Sequence, residues 1–197
     1  MRLRIHELML LTIILAGCGS PKEYLYTLSS STASGSTGAL PASVWPSIAV
    51  GPITLPEVVD RPQMVVRVGP NQVALAEQHR WASSLRSEIP RVIAENLAQM
   101  LSTKLVWSYE HTAMGQADVQ VLVDVQRFDS DLGDAVTIDS FWLIRRASGQ
   151  PVTGRSTVRE PIGGAGYDAL VAAHSRALAV VSREIAEAIR TPASTPH

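Results

Sequence analysis

The 197 residues contain a single cysteine, Cys18, so no disulfide can close within the chain and the fold must hold without a covalent staple. Charge is scarce and balanced. Lys and Arg number 17 against 18 Asp and Glu, charged residues make up 18% of the chain, and the formal net charge is −1. With no basic run, the balance argues against nucleic acid as a partner and leaves room for contact with other proteins. Long apolar stretches are missing too. The run from Leu8 to Leu15 covers only about eight residues, against the roughly 20 that a membrane-spanning helix needs. Internal repeats are absent.

The chain does begin with an export signal. Arg2 and Arg4 form a basic n-region, Leu8 to Leu15 an apolar h-region, and the run ends directly in Leu15-Ala16-Gly17-Cys18. That order targets a chain and does not anchor it. An aliphatic residue, two small residues and then cysteine looks like a lipobox, in which the thiol is acylated before cleavage. Triacylation would hold the protein stably, since one acyl chain is marginal and each buried methylene adds about 0.8 kcal/mol. In the enterobacterial lipoprotein scheme an Asp after the acylated cysteine retains the protein at the inner membrane. Gly19 and Ser20 stand there instead, which implies the periplasmic face of the outer membrane.

The reading divides the chain into a signal peptide (1–17), a lipidated cysteine with a flexible tether (18–43), one domain (44–192) and a disordered tail (193–197). About 180 residues follow the signal, enough for one domain with a proper core. Ser, Thr, Ala and Gly dominate from Ser29 to Ser43. Such a segment cannot order itself by burying apolar surface. Twenty such residues would reach about 25 Å on average, a leash below the membrane.

Beyond the tether, Val44 to Ile53 reads as an edge or early strand because Pro46 and Pro52 interrupt it. Met64 to Val68 and Gln72 to Leu75 flank Gly69-Pro70-Asn71, a hairpin turn. A helix follows from about Ser83 to Thr103, with Leu85, Ile89, Val92, Leu97 and Leu101 along one face. Pro90 should fall in its first turns or kink it. Val119, Val121, Val123 and Val125 alternate with Gln120, Leu122, Asp124 and Gln126, a half-buried strand. Val136 to Arg145 and Val152 to Arg159 form a second hairpin around Ser148-Gly149-Gln150. A last helix runs from Tyr167 to about Arg190, burying Leu170, His174, Leu178, Val181, Ile185 and Ile189. The order predicts an α+β fold: a largely antiparallel sheet with two long helices packed on one face.

No catalytic or metal constellation emerges, so catalytic and metal residues are none and the only cofactor is the covalent lipid on Cys18. His79, His111 and His174 are not spaced as a metal pair, and His174 reads as a core histidine. There is no Gly-x-Ser-x-Gly elbow and no second thiol. Asp129, Asp131 and Asp134, with Gly133, read as a polar turn, since the twelve-residue calcium-loop pattern is missing. Gly163-Gly164-Ala165-Gly166 lacks the Lys-Ser/Thr of a phosphate cradle.

One stretch is distinctive: Val50-Gly51-Pro52-Ile53-Thr54-Leu55-Pro56-Glu57-Val58-Val59-Asp60-Arg61-Pro62-Gln63-Met64-Val65. It resembles a hallmark of the PqiC family, the paraquat-inducible, ABC-type transport auxiliary lipoproteins. The resemblance continues in Glu77 to Trp81, in Gly166-Tyr167-Asp168-Ala169-Leu170-Val171-Ala172-Ala173, and in Tyr24-Leu25-Tyr26-Thr27-Leu28 after the lipid site. Together these cover nearly all of the mature chain in the expected order. Pro90 inside the long helix and the Ala- and Ser-rich tether are local variants.

The resemblance implies an outer-membrane accessory lipoprotein of an MCE-type, PqiABC-like lipid transport system supporting envelope integrity. Its partner would be a periplasmic MCE-domain tunnel protein that the lipoprotein docks against the outer membrane, with a homo-oligomeric ring as one arrangement. A structural assembly lipoprotein, pilotin-like, is the alternative. A periplasmic hydrolase is a third reading and would have to work through His79, His111 or His174. Pro52, Pro56 and Pro62 restrict the hallmark loop at low entropic cost. Leu55, Pro56, Val58, Asp60, Arg61, Pro62, Gln63 and Trp81 are the candidate partner-binding residues. They form either a rigid docking surface or a crossover packed on the core, with Asp60 and Arg61 as an ion pair and Trp81 packing at the helix start.

Overall fold

The computed structural model describes residues 22–30, 46–109 and 115–191. Among these are strands β1 (Tyr24–Tyr26), β2 (Ile48–Thr54), β3 (Gln63–Gly69) and β4 (Gln72–Trp81), then helix α1 (Leu85–Met100) and β5 (Val106–Ser108). They are followed by β6 (Val119–Asp131), β7 (Ala135–Arg146), β8 (Val152–Pro161) and helix α2 (Gly166–Arg190). The fold is α+β, as expected, but the strands form two sheets. A small one has the order β1-β4-β3, a larger one β5-β2-β6-β7-β8.

Antiparallel pairing dominates the long ladders β6–β7 and β7–β8 and the β3–β4 hairpin. The pairs β1–β4, β2–β5 and β2–β6 are parallel. The valines of β6 behave as their alternation predicts: Val119, Val121, Val123 and Val125 are buried. Ile144 and Trp142 of β7 lie opposite Val121 and Val123, and Ile138 opposite the buried Phe128. Both helices cover this face. Arg91 of α1 donates to the Leu28 carbonyl while Ser29 donates to Ser175 of α2. Asn96 then meets Ser182, and Arg190 donates to the Met100 carbonyl. Positions therefore rise together along both helices, which run parallel. The second hairpin turns where expected.

β2 is not an edge strand: it is paired on both sides. Pro52 is tolerated there because the β2–β6 register shifts between Val50 and Ile53, so the missing N–H falls where the ladder is already interrupted. Pro90 lies in the second turn of α1, which continues through it to Met100. Ser84 caps that helix, its Oγ accepting from the Arg86 N–H at 3.2 Å.

The larger correction concerns the domain's start. Residues 22–30 belong to the fold and not to a tether. β1 pairs with β4 and Leu28 is 1% exposed in the core. The Leu28 N–H reaches the buried Glu88 carboxylate at 3.2 Å, and its carbonyl accepts from Arg91 at 2.7 Å. Arg91 also pairs with Glu88 (2.9 Å) and Glu95 (2.6 Å). The signal peptide, Cys18, residues 31–45, His111 and the 193–197 tail lie outside the described residues.

Candidate functional site

The hallmark loop leaves β2 at Thr54 and returns to β3 at Gln63. Pro56 opens a turn, with the Val59 N–H bonded to the Pro56 carbonyl and Asp60 to that of Glu57. Val59 plugs into the core, and Leu55 packs against it half-buried. The expected Asp60–Arg61 ion pair does not form. Asp60 pairs with Arg86 at the start of α1, at 2.7 Å. Exposed residues of the loop are Glu57, Val58, Arg61 and Pro62, whereas Pro56, Asp60 and Gln63 are half-buried. Gln63 donates to Glu77. The loop thus divides between the two readings, with its hydrophobic plug inward and Val58 outward.

Trp81 is 6% exposed and packs edge-on against Phe128 and His174. Its N–H donates to the Pro62 carbonyl at 2.8 Å, which ties the end of the loop to β4. As a surface contact residue Trp81 is ruled out by burial, and its role is packing ahead of α1.

His174 is wholly buried, stacked on Phe128 with ring centroids 4.1 Å apart and Nε2 2.8 Å from Ser130 Oγ. Burial pushes its pKa down to about 3. The ring is neutral near pH 7, and its hydroxyl partner Ser130 is buried with it. Asp129 pairs with Arg67 and Arg127, and Asp134 with Arg159. Of the aspartates expected to form a turn, Asp131 and Asp134 bracket it, the Asp134 N–H bonded to the Asp131 carbonyl, whereas Asp129 lies within β6 opposite Thr137. Among the described residues no three His, Cys, Asp or Glu converge to hold a metal.

Two features escaped the sequence reading. The first is an aromatic stack at the N-terminal strand. His79 lies flat on Tyr167 at 3.7 Å, with Tyr24 stacked beyond it at 5.2 Å. Tyr26 Oη is 2.8 Å from His79 Nδ1, and the Lys22 ammonium lies over the Tyr24 ring. Burial, with Asp168 nearby, raises the Tyr26 pKa. The alternating aromatics of Tyr24-Leu25-Tyr26 were the available signal, but three residues are too short for a periodicity argument. The second is a cavity of about 440 Å³ at the opposite end of β6, lined by Trp107, Tyr109, Asp118, Gln120 and Arg145. Hydrogen bonds from Ser47 hold the Asp118 carboxyl below its usual range.

Two solved structures share the architecture. One, of an uncharacterized protein, is 20% identical, covering 86% of this chain and 99% of its own, with a TM-score of 0.69. The other, a Xanthomonas campestris protein, is 21% identical, covering 84% and 93%, with a TM-score of 0.63. At such identities they establish the fold alone. No curated protein matches the chain. The model of the family described as ABC-type transport auxiliary lipoprotein component matches residues 26–186, from β1 into α2. The chain belongs to that family of transport auxiliary lipoproteins.

Proposed function

We propose that this protein is a non-enzymatic accessory of an MCE-type intermembrane lipid transport system, held by an acylated Cys18 at the periplasmic face of the outer membrane. The observation that carries the reading is the family match across nearly the whole folded body. The lipobox at Leu15 to Cys18 supplies the anchor, and Gly19-Ser20 its destination. The role is docking: the lipoprotein holds the distal end of a periplasmic tunnel protein against the membrane.

In the hallmark loop, Val58 and Arg61 are the residues offered to such a partner. They project from a base fixed by the Val59 plug, the Asp60–Arg86 pair and the Pro62–Trp81 bond. A fixed base lowers the ordering cost of association. In-cell crosslinking of the C-terminally tagged mature protein, followed by mass spectrometry, tests the reading. Recovery of an MCE-domain protein crosslinked within residues 55–63 is expected. Recovery of only a secretin or a β-barrel protein would place the lipoprotein in an assembly machine instead.

A further inference from the structure

β1 runs parallel to β4 with Tyr24 opposite His79, so the chain preceding Tyr24 enters from the side of Glu77, Leu75 and Val73. That side is the tip of the β3–β4 hairpin. Arg67 of β3 pairs with Asp129 at 3.0 Å and with Asp131 at 3.7 Å, which brings the hairpin beside the β6–β7 turn. Of the ten exposed large apolar side chains among the described residues, six lie on the small sheet or at the β6–β7 turn beside it: Val68, Val73, Leu75 and Leu132 at the hairpin end, and Tyr24 and Leu25 about 23 Å along β4, opposite His79 and Arg80. Their exposure runs from 40% at Leu75 to 65% at Leu25.

Covalent geometry ties the same sheet to the lipid site. Three residues separate Lys22 from Cys18, and the four Cα-to-Cα steps span at most about 14 Å. The headgroup layer takes up roughly 6 Å of that distance. A body this close cannot hang clear of the bilayer. Nor can its first strand readily peel away, because Leu28 would leave the core and Glu88 would lose the Leu28 N–H.

Resting on the reading of Cys18 as acylated, we propose that the small sheet, from β1 to the β3–β4 tip, is seated on the phospholipid headgroup layer. The occupant of this apolar surface is thus the membrane. Leu25, Val68, Val73 and Leu75 enter the interface, where Tyr24 supplies the amphipathic ring favoured at that depth. The charges here balance: Glu23 pairs with Arg80, Arg67 and Arg127 offset Asp129 and Asp131, and Lys22 over the Tyr24 ring offsets the exposed Glu77. The seat therefore needs no anionic lipid.

The test uses the full lipidated chain in phosphatidylethanolamine vesicles. Acylation occupies Cys18, so a cysteine introduced as Leu25→Cys, Val73→Cys or Leu105→Cys provides the thiol for a fluorophore. Leu105 lies beside the Val119 end of β6, about 40 Å from Leu132 at strand spacing. Nitroxide-headgroup lipid should quench the label at Leu25 and Val73 several-fold more than at Leu105, with little change on adding salt. Equal, weak quenching at all three sites in protein that floats with the vesicles would overturn the seat. So would label-to-label contact at Leu25, which would show a second copy covering the strand. A mature protein that carries no acyl mass and does not float would overturn the anchor reading, and the seat with it.

Discussion

At its Asp131 end, β6 faces an interior rich in polar and ionisable groups. His174 bonds to Ser130, Glu88 grips the Leu28 N–H, Ser175 accepts from Ser29, and Arg67 bridges to two aspartates. At its Val119 end the interior is apolar, with Ile48, Val119 and Ile144 almost fully buried. There Arg146 caps the last carbonyls of α2. Buried polar contacts add little net stability, yet losing one partner is costly. The end next to the proposed anchor thus uses contacts that fix the position of a strand, and the far end uses packing. Stability should therefore respond to acid at one end and to side-chain volume at the other.

The largest effect is expected in packing. A Cβ built at Gly154 would come within 2.1 Å of the Trp142 ring, which lies across β8. Gly154→Ala should destabilise by about 3 kcal/mol, read as a fall in Tm, while amide exchange at Leu25 to Leu28 stays near the native pattern. Glu88→Ala tests the opposite end. It strands the Leu28 N–H and one partner of Arg91, a loss of about 2–3 kcal/mol. Exchange and proteolysis should then rise in residues 22–30 first. Uniform opening of the whole domain would argue that the strand is not a separate fastening.

His174 gives the acid response. Its folded pKa of about 3 lies below the unfolded value of 6.5, so between those values the unfolded state binds the extra proton. Stability is complete above about pH 6.5 and falls as pH drops toward 3. At pH 5 the loss is about 2 kcal/mol relative to pH 7. Denaturant titrations at the two pH values measure it, and His174→Leu should abolish most of the difference. Smaller still is Arg155→Ala on the open face of the large sheet. Arg155 holds the Asp139 carboxyl below its usual range but is itself half exposed, so solvent screening should leave only a small fall in Tm.

Much of this was legible in the residues. Period-two valines marked β6, Gly69-Pro70-Asn71 marked a turn, and the apolar faces located both helices. Sheet membership was not, because the parallel pairs join segments more than 50 residues apart, as with Tyr24 and His79. β1 and Leu28 were absorbed into a tether because β1 is short and the residues that hold Leu28, Glu88 and Arg91, are charged helix residues that periodicity assigns to solvent. Pro52 correctly marked an interruption, but whether that lies at an edge or at a bulge between two neighbours depends on pairing. In the hallmark loop the prolines signalled a fixed crossover, and only the structure separates the inward Val59 from the outward Val58.

Site-specific photocrosslinking in cells, from Val58 and from Val73 of the same lipidated chain, tests the central claim most directly. The account predicts an MCE-domain protein captured from Val58, with lipid and no protein captured from Val73. The same protein captured from both positions, or a secretin or β-barrel protein from Val58, would contradict it.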